Sequence, residues 1–164
     1  MSLSSTNDSR SPSALTGLYA RFEPVRELLE SYGQPVVSLI ARLWMAKIFF
    51  DAGWSRVNNW GSQEFLFGFI HPVPFLPPAL AAPITTIGEL TLAVLLAFGL
   101  LGRISAAGLL VMTMTIQWIV GATPEGIENG IAHPSHYLWM LIFGLLIVYG
   151  PGKLSLDHLL GKRS

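Results

Sequence analysis

Apolar and polar positions divide this chain into a short polar start, one two-faced segment and four long apolar runs. The runs lie at roughly 36–55, 78–100, 103–121 and 134–150. Each approaches the ~20 residues that a helix needs to cross the hydrocarbon core of a bilayer. Ahead of them, Leu15, Leu18, Phe22, Val25, Leu28, Leu29 and Tyr32 recur at helical spacing, with Arg21, Glu23, Arg26, Glu27 and Glu30 between them. One apolar and one charged face predict a helix lying on the membrane surface, with Pro24 expected in a first-turn position. Residues 1–13 are rich in Ser, Thr, Asn and Asp and predict a disordered tail. The expected organisation is therefore a tail and interfacial helix over 1–35 and a four-transmembrane-helix domain over 36–160. In class it is all-α, an integral membrane four-helix bundle with an N-terminal amphipathic interfacial segment.

The connections refine that picture. Leu100, Leu101, Gly102 and Arg103 leave room only for a tight turn, so the second and third runs must be antiparallel neighbours. Ser55 to Pro77 is longer and carries Trp60, Phe65, Phe67, Phe69 and His71, which reads as an aromatic cap at the interface. Lys and Arg outside the runs set orientation. Arg10, Arg21, Arg26, Arg103, Lys153, Lys162 and Arg163 fall on one side, and only Arg56 on the other. Both termini are expected in the cytoplasm of a multi-pass protein of the bacterial inner membrane, with no removable signal peptide ahead of the first run.

Composition agrees with a bilayer as solvent: 51% of the 164 residues are hydrophobic and 12% charged, with a mean hydropathy of +0.52. No basic run is interleaved with aromatics, so a nucleic-acid partner is not expected. The absence of cysteine excludes disulfides, thiolate metal ligands and thiol redox chemistry carried by this chain. Phosphate-cradling glycine loops, nucleophile elbows and zinc-protease pairs are absent too, so hydrolysis is poorly supported.

Candidate chemistry lies in the ionisable residues of the apolar runs. Arg42, Lys47 and Asp51 interrupt the first, at about 2.5–3.5 kcal/mol each for an unpaired charge near a helix centre. Glu89 falls near the middle of the second. These four are expected to form a buried charge cluster, with Glu89 pairing with Arg42, Lys47 or both. A proton- or quinone-linked site and a salt bridge that merely fixes helix packing both remain open. Lys47 and Asp51, four apart, could also pair locally.

Gln117 and His136 are candidate hydrogen-bonding groups for a ligand or cofactor, and His133 with His136 forms a weak candidate metal pair. A haem would need a further ligand such as His71, because neighbours on one turn cannot approach iron from both faces. Met112 and Met114 read as core packing. Gly88, Gly99, Gly108 and Gly144 read as close-packing positions between helices.

Three segments together resemble the DoxX family: Arg42-Leu-Trp-Met-Ala-Lys-Ile-Phe-Phe-Asp-Ala-Gly-Trp-Ser-Arg56, then the Gly88-Glu89 pair leading to Gly102-Arg103, then Gly150-Pro-Gly-Lys-Leu-Ser-Leu-Asp157. Their order matches as well, over about 36–160. The resemblance implies a four-helix bacterial inner-membrane protein linked to redox chemistry, as a subunit in thiosulfate–quinone oxidoreduction or a partner in oxidative-stress or metal-responsive systems. It assigns Arg42, Glu89 and Asp157 to the family pattern.

The leading expectation is a subunit or accessory of a quinone-linked or oxidative-stress pathway, and, if enzymatic, a quinone-linked oxidoreductase subunit rather than a self-sufficient enzyme. Quinone is the candidate cofactor. The lipid bilayer, a membrane or periplasmic redox protein and a second copy are the candidate partners. Two alternatives stand beside it. One is a small transporter or metal-handling protein using Lys47 and Glu89 with outward Glu125, Glu128, His133 and His136; the other is a scaffold whose buried charges are structural.

Overall fold

A computed structural model describes residues 14–73 and 75–161, with side chains from Arg21 onward. The tail expected over 1–13 lies outside the described residues, as do Arg10, Lys162 and Arg163 of the charge count and the side chains of Leu15 and Leu18. The described backbone is helical, without strands. It forms two units, Met1–Gln34 and Pro35–Ser164.

In the first unit, helix α1 spans Ala14–Leu28 and a π-helical turn follows at Leu29–Gly33. Phe22, Val25, Leu28, Leu29 and Tyr32 are all exposed. Arg26 pairs with Glu23 on the same helix. Pro24 does not open the helix; it lies inside α1. The helix already runs from Ala14 through Gly17 before it reaches Pro24, and the missing N–H there leaves one carbonyl of the ladder without its donor.

Four main helices build the second unit: α2 (Gln34–Asn58), α3 (Pro78–Phe98), α4 (Gly102–Met114, extended by a π-helical turn at Thr115–Val120) and α5 (Ser135–Tyr149). They coincide with the four apolar runs. Two, Pro78–Phe98 and Gly102–Val120, are long and apolar enough to cross a membrane. α5 is apolar but has 15 residues, and α2 is long but carries Arg42, Lys47 and Asp51. Proline opens α3, where its missing N–H costs nothing, and Gly99 closes it at φ 64°.

Met45, Ala46 and Phe49 of α2, Ala93 and Leu96 of α3, Ala106 and Leu109 of α4, and Phe143 and Leu146 of α5 share one core. Phe49 sets its ring edge against Trp139 and Phe143, at centroid distances of 5.9 and 5.7 Å. A Cβ on Gly108 would come within 2.7 Å of the Leu92 side chain, so α3 and α4 pack closely there and a larger residue would displace that side chain. Gly144, expected in the same role, faces open space. Phe67 from the 55–77 connection packs with Ala81 and Ala82 of α3 as a smaller cluster.

Beside this apolar core the bundle buries several polar residues and exposes many large apolar ones. Arg42, Thr86, Glu89, Ser105, Thr113, Gln117 and His136 are buried, while Ile84, Ile87, Ile104, Val111, Leu138, Leu141 and Val148 are exposed. Such a surface is satisfied by hydrocarbon, and polar groups within it must find partners inside the protein.

Candidate functional site

At one end of the bundle, polar groups hold the helix ends together. Arg42 is fully buried. Its guanidinium donates to the carbonyls of Leu96 at 3.5 Å and Ala97 at 3.2 Å, and to that of Leu154. A cation among the last carbonyls of α3 meets the negative end of that helix. Asp157 does the converse for α4: its carboxylate accepts from the N–H groups of Leu101 at 2.9 Å and Gly102 at 2.8 Å, donors that the helix start leaves unpaired. Between these charges the chain turns through left-handed Gly99 and Leu101, the latter at φ 51°. A Cβ on Gly99 would meet Ser155 at 2.6 Å and collide with Arg42. The closing Gly-Pro-Gly-x-x-Ser-Leu-Asp segment is thus a clasp over the α3–α4 turn.

The four charges expected to cluster are not together. Arg42 sits in this clasp, and Lys47 and Asp51 bond each other on the exposed side of α2, with side chains 75% and 59% accessible. Glu89, 2% accessible, pairs with neither Arg42 nor Lys47 but with Arg56, Nη1 to Oε2 at 2.5 Å. Helical periodicity explains the correction. Arg56 follows Arg42 by 14 residues, about four turns at 3.6 per turn, so both fall on the buried face with Met45, Phe49 and Gly53. Lys47 falls on the opposite side. The charge count along the chain places Arg56 on the outward side, whereas a helical wheel extended to the end of α2 places it on the buried face.

Beside the Arg56–Glu89 pair lies a cavity of about 120 Å³ lined by Arg56, Phe67, His71, Thr85, Met112 and Thr115 among others. Arg56 lies over the Phe67 ring, 5.3 Å from its centroid. His71 is held below the usual imidazole range by burial and by the neighbouring Arg56 charge. Its neutral ring offers one donor and one acceptor. π-helical turns at Leu66–Ile70 and Thr115–Val120 supply part of the wall, and such turns recur at functional sites. Thr86, one turn before Glu89, and Gln63, from the turn packed on α3, each bury a side-chain oxygen without a hydrogen-bond partner.

Gln117 and His136, the two candidate hydrogen-bonding groups, bond each other. The Gln117 Oε1 accepts from the His133 backbone N–H at 3.0 Å and lies 2.7 Å from His136 Nδ1. Because a carbonyl oxygen only accepts, the proton rests on Nδ1 and Nε2 is the acceptor. This contact ties the π-helical end of α4 to the start of α5. His133 turns its own Nδ1 to Ser135, and its ring centroid is 6.3 Å from that of His136. Among the described residues no three His, Asp or Glu side chains gather as a metal-ligating set.

An all-helical bundle with an apolar exterior, two helices fit to cross a bilayer and its ion pair inside is a membrane protein of the small helical-bundle class. The chain belongs to the DoxX family, whose model matches residues 37–122. It is also similar to an uncharacterized protein of Haemophilus influenzae, 32% identical over 139 residues that make up 82% of this chain and 89% of that protein. No solved structure gives a significant match.

Proposed function

We propose that this DoxX-family protein is a membrane subunit of a redox pathway that holds the ring of a quinone-like molecule in the cavity beside Arg56 and Glu89. The observation carrying the reading is that cavity: a small, mostly apolar recess with Arg56, itself paired with Glu89, a neutral imidazole and two threonines on its wall. Apolar pockets with a few convergent polar groups are the usual form of small-molecule sites. A cavity near 150 Å³ accepts benzene, so about 120 Å³ suits the leading edge of a single ring. Arg56 and His71 can donate to a ring carbonyl, Phe67 offers an aromatic face, and an isoprenoid tail would leave among the exposed apolar side chains. Reducing a quinone to a quinol takes two electrons and two protons; a partner supplies the electrons, water supplies the protons, and this chain holds and orients the ring.

All four main helices span the bilayer in this reading, α1 lies at the interface and both termini are cytoplasmic. Each of the four charged side chains of α2 has a partner, Arg42 in backbone carbonyls, Lys47 in Asp51 and Arg56 in Glu89, which supports its crossing, and the bacterial origin of the relative agrees with the inner membrane. The cavity then faces the periplasmic side. Mass spectrometry of lipid extracts from protein purified in native lipid discs tests the site. Wild type should carry stoichiometric quinone, and Thr85→Trp and Arg56→Met should carry little. Ligand-free wild type, or equal quinone in all three, contradicts the proposal.

A further inference from the structure

The Lys47–Asp51 pair has no role in the cavity or in the clasp, and its position is unusual. Neighbouring contacts fix its level: Arg42 bonds the carbonyl of Ala97, while a Cβ on Gly53 would touch Leu90 at 2.9 Å. Lys47 and Asp51 therefore lie alongside 90–97 of α3, a helix long and apolar enough to cross a membrane. Yet their side chains point outward. Ionisable side chains at such depth almost always face other protein or a water-filled cavity, because lipid gives them no partner.

The surrounding surface has a defined pattern. Val36, Ile40, Leu43, Lys47, Phe50 and Trp54 are all exposed and follow one another at spacings of 4, 3, 4, 3 and 4. Val37, Trp44 and Asp51 flank this line at seven-residue intervals and are exposed too. A 4-3 repeat is the seam along which two helices pack side by side, and a single lysine in such a seam fixes register and partner number. Apolar exposure alone would merely suit lipid; the seam with a charge pair inside it does not.

We propose that this face of α2 docks against the same face of a second copy of the chain, making a homodimer in the membrane. Charge complementarity identifies the occupant. Each copy brings one ammonium and one carboxylate a single turn apart. A two-fold axis along the bilayer normal keeps equivalents at one depth, so the two ammoniums share a level one turn from both carboxylates and the four charges form a neutral group. Each lysine can then use either carboxylate, and the ions leave the lipid. The inference depends on α2 spanning the bilayer and is independent of what the cavity binds.

The cysteine-free chain allows a direct test in native lipid discs. Single cysteines at Leu43 and Phe50 should cross-link as dimers, whereas Ile87→Cys and Val148→Cys, exposed on α3 and α5, should not. Lys47→Asp and Asp51→Lys each place like charges together and should weaken self-association about a hundredfold. Mixing those two variants, carried on distinguishable tags, should restore association as a heterodimer, which a folding defect could not do. Cross-linking no stronger at 43 and 50 than at 87 and 148 would overturn the proposal. So would capture of Leu43→Cys by another protein without a self-dimer, or failure of the mixed variants to associate.

Discussion

Arg56 reaches from the last turn of α2 to the Glu89 carboxylate midway along α3, and the two side chains are 14% and 2% accessible. An ion pair at that depth is costly to assemble and far costlier to break, because either partner left alone is a charge without a counter-ion in a poorly solvating interior.

Arg56→Met should therefore destabilise the protein by roughly 3–5 kcal/mol, and Arg56→Met combined with Glu89→Leu should recover most of that loss. Unfolding in graded denaturing detergent measures both. A double variant as unstable as the single one would show that the pair is not coupled as the geometry implies.

His71 gives a pH dependence with a defined sign. Its folded-state pKa is depressed by burial and by Arg56. The unfolded chain therefore binds the proton first as pH falls. The stability contributed by the neutral ring is complete above the ordinary imidazole pKa, then is lost as pH drops from there toward the folded value. Replacing His71 with Gln should flatten stability against pH in that window, and NMR titration should show the ring remaining neutral below the usual range. An unshifted titration would contradict it.

The clasp predicts a contrast between two glycines. Gly99→Ala should destabilise strongly, since φ is 64° and the new Cβ meets Ser155 and Arg42. Gly144→Ala, in open space within α5, should be neutral or stabilising by up to about 1 kcal/mol. Thermal unfolding of the two variants compares them directly.

Asp157→Ala removes the acceptor for two N–H groups at the start of α4, one of them from left-handed Leu101. The expected loss is about 1.5–3 kcal/mol, with amide exchange at Leu101 and Gly102 accelerated. Unchanged exchange at those two amides would rule out the clasp.

Much of this architecture was legible along the chain, because a bilayer demands long apolar runs and tight turns leave few connections. The four runs became α2 to α5 with ends shifted by a few residues. Local spacing also carried the Lys47–Asp51 pair. Arg42 and Glu89 stood out as ionisable groups in apolar surroundings, but their partners did not. The terminal nitrogens of Arg42 bond the carbonyls of Leu96, Ala97 and Leu154, groups that every residue possesses and that no pattern advertises. Depth alone suggests pairing Glu89 with Arg42, Lys47 or both; azimuth and level along α2 decide for Arg56. The cavity depends on how the 60–73 segment folds onto α3 and α4, and its π-helical turns leave no periodic trace.

In the proposed function, the cavity beside Arg56 holds a quinone ring. Photolabelling wild-type protein in lipid discs with a short-tailed azido-quinone, followed by peptide mapping, tests it most directly. Label concentrated on Phe67, His71, Thr85 and Met112, and displaced by excess unlabelled quinone, is the predicted result. Label spread over the exposed faces of α3 and α5, indifferent to competitor and to Arg56→Met, would contradict it.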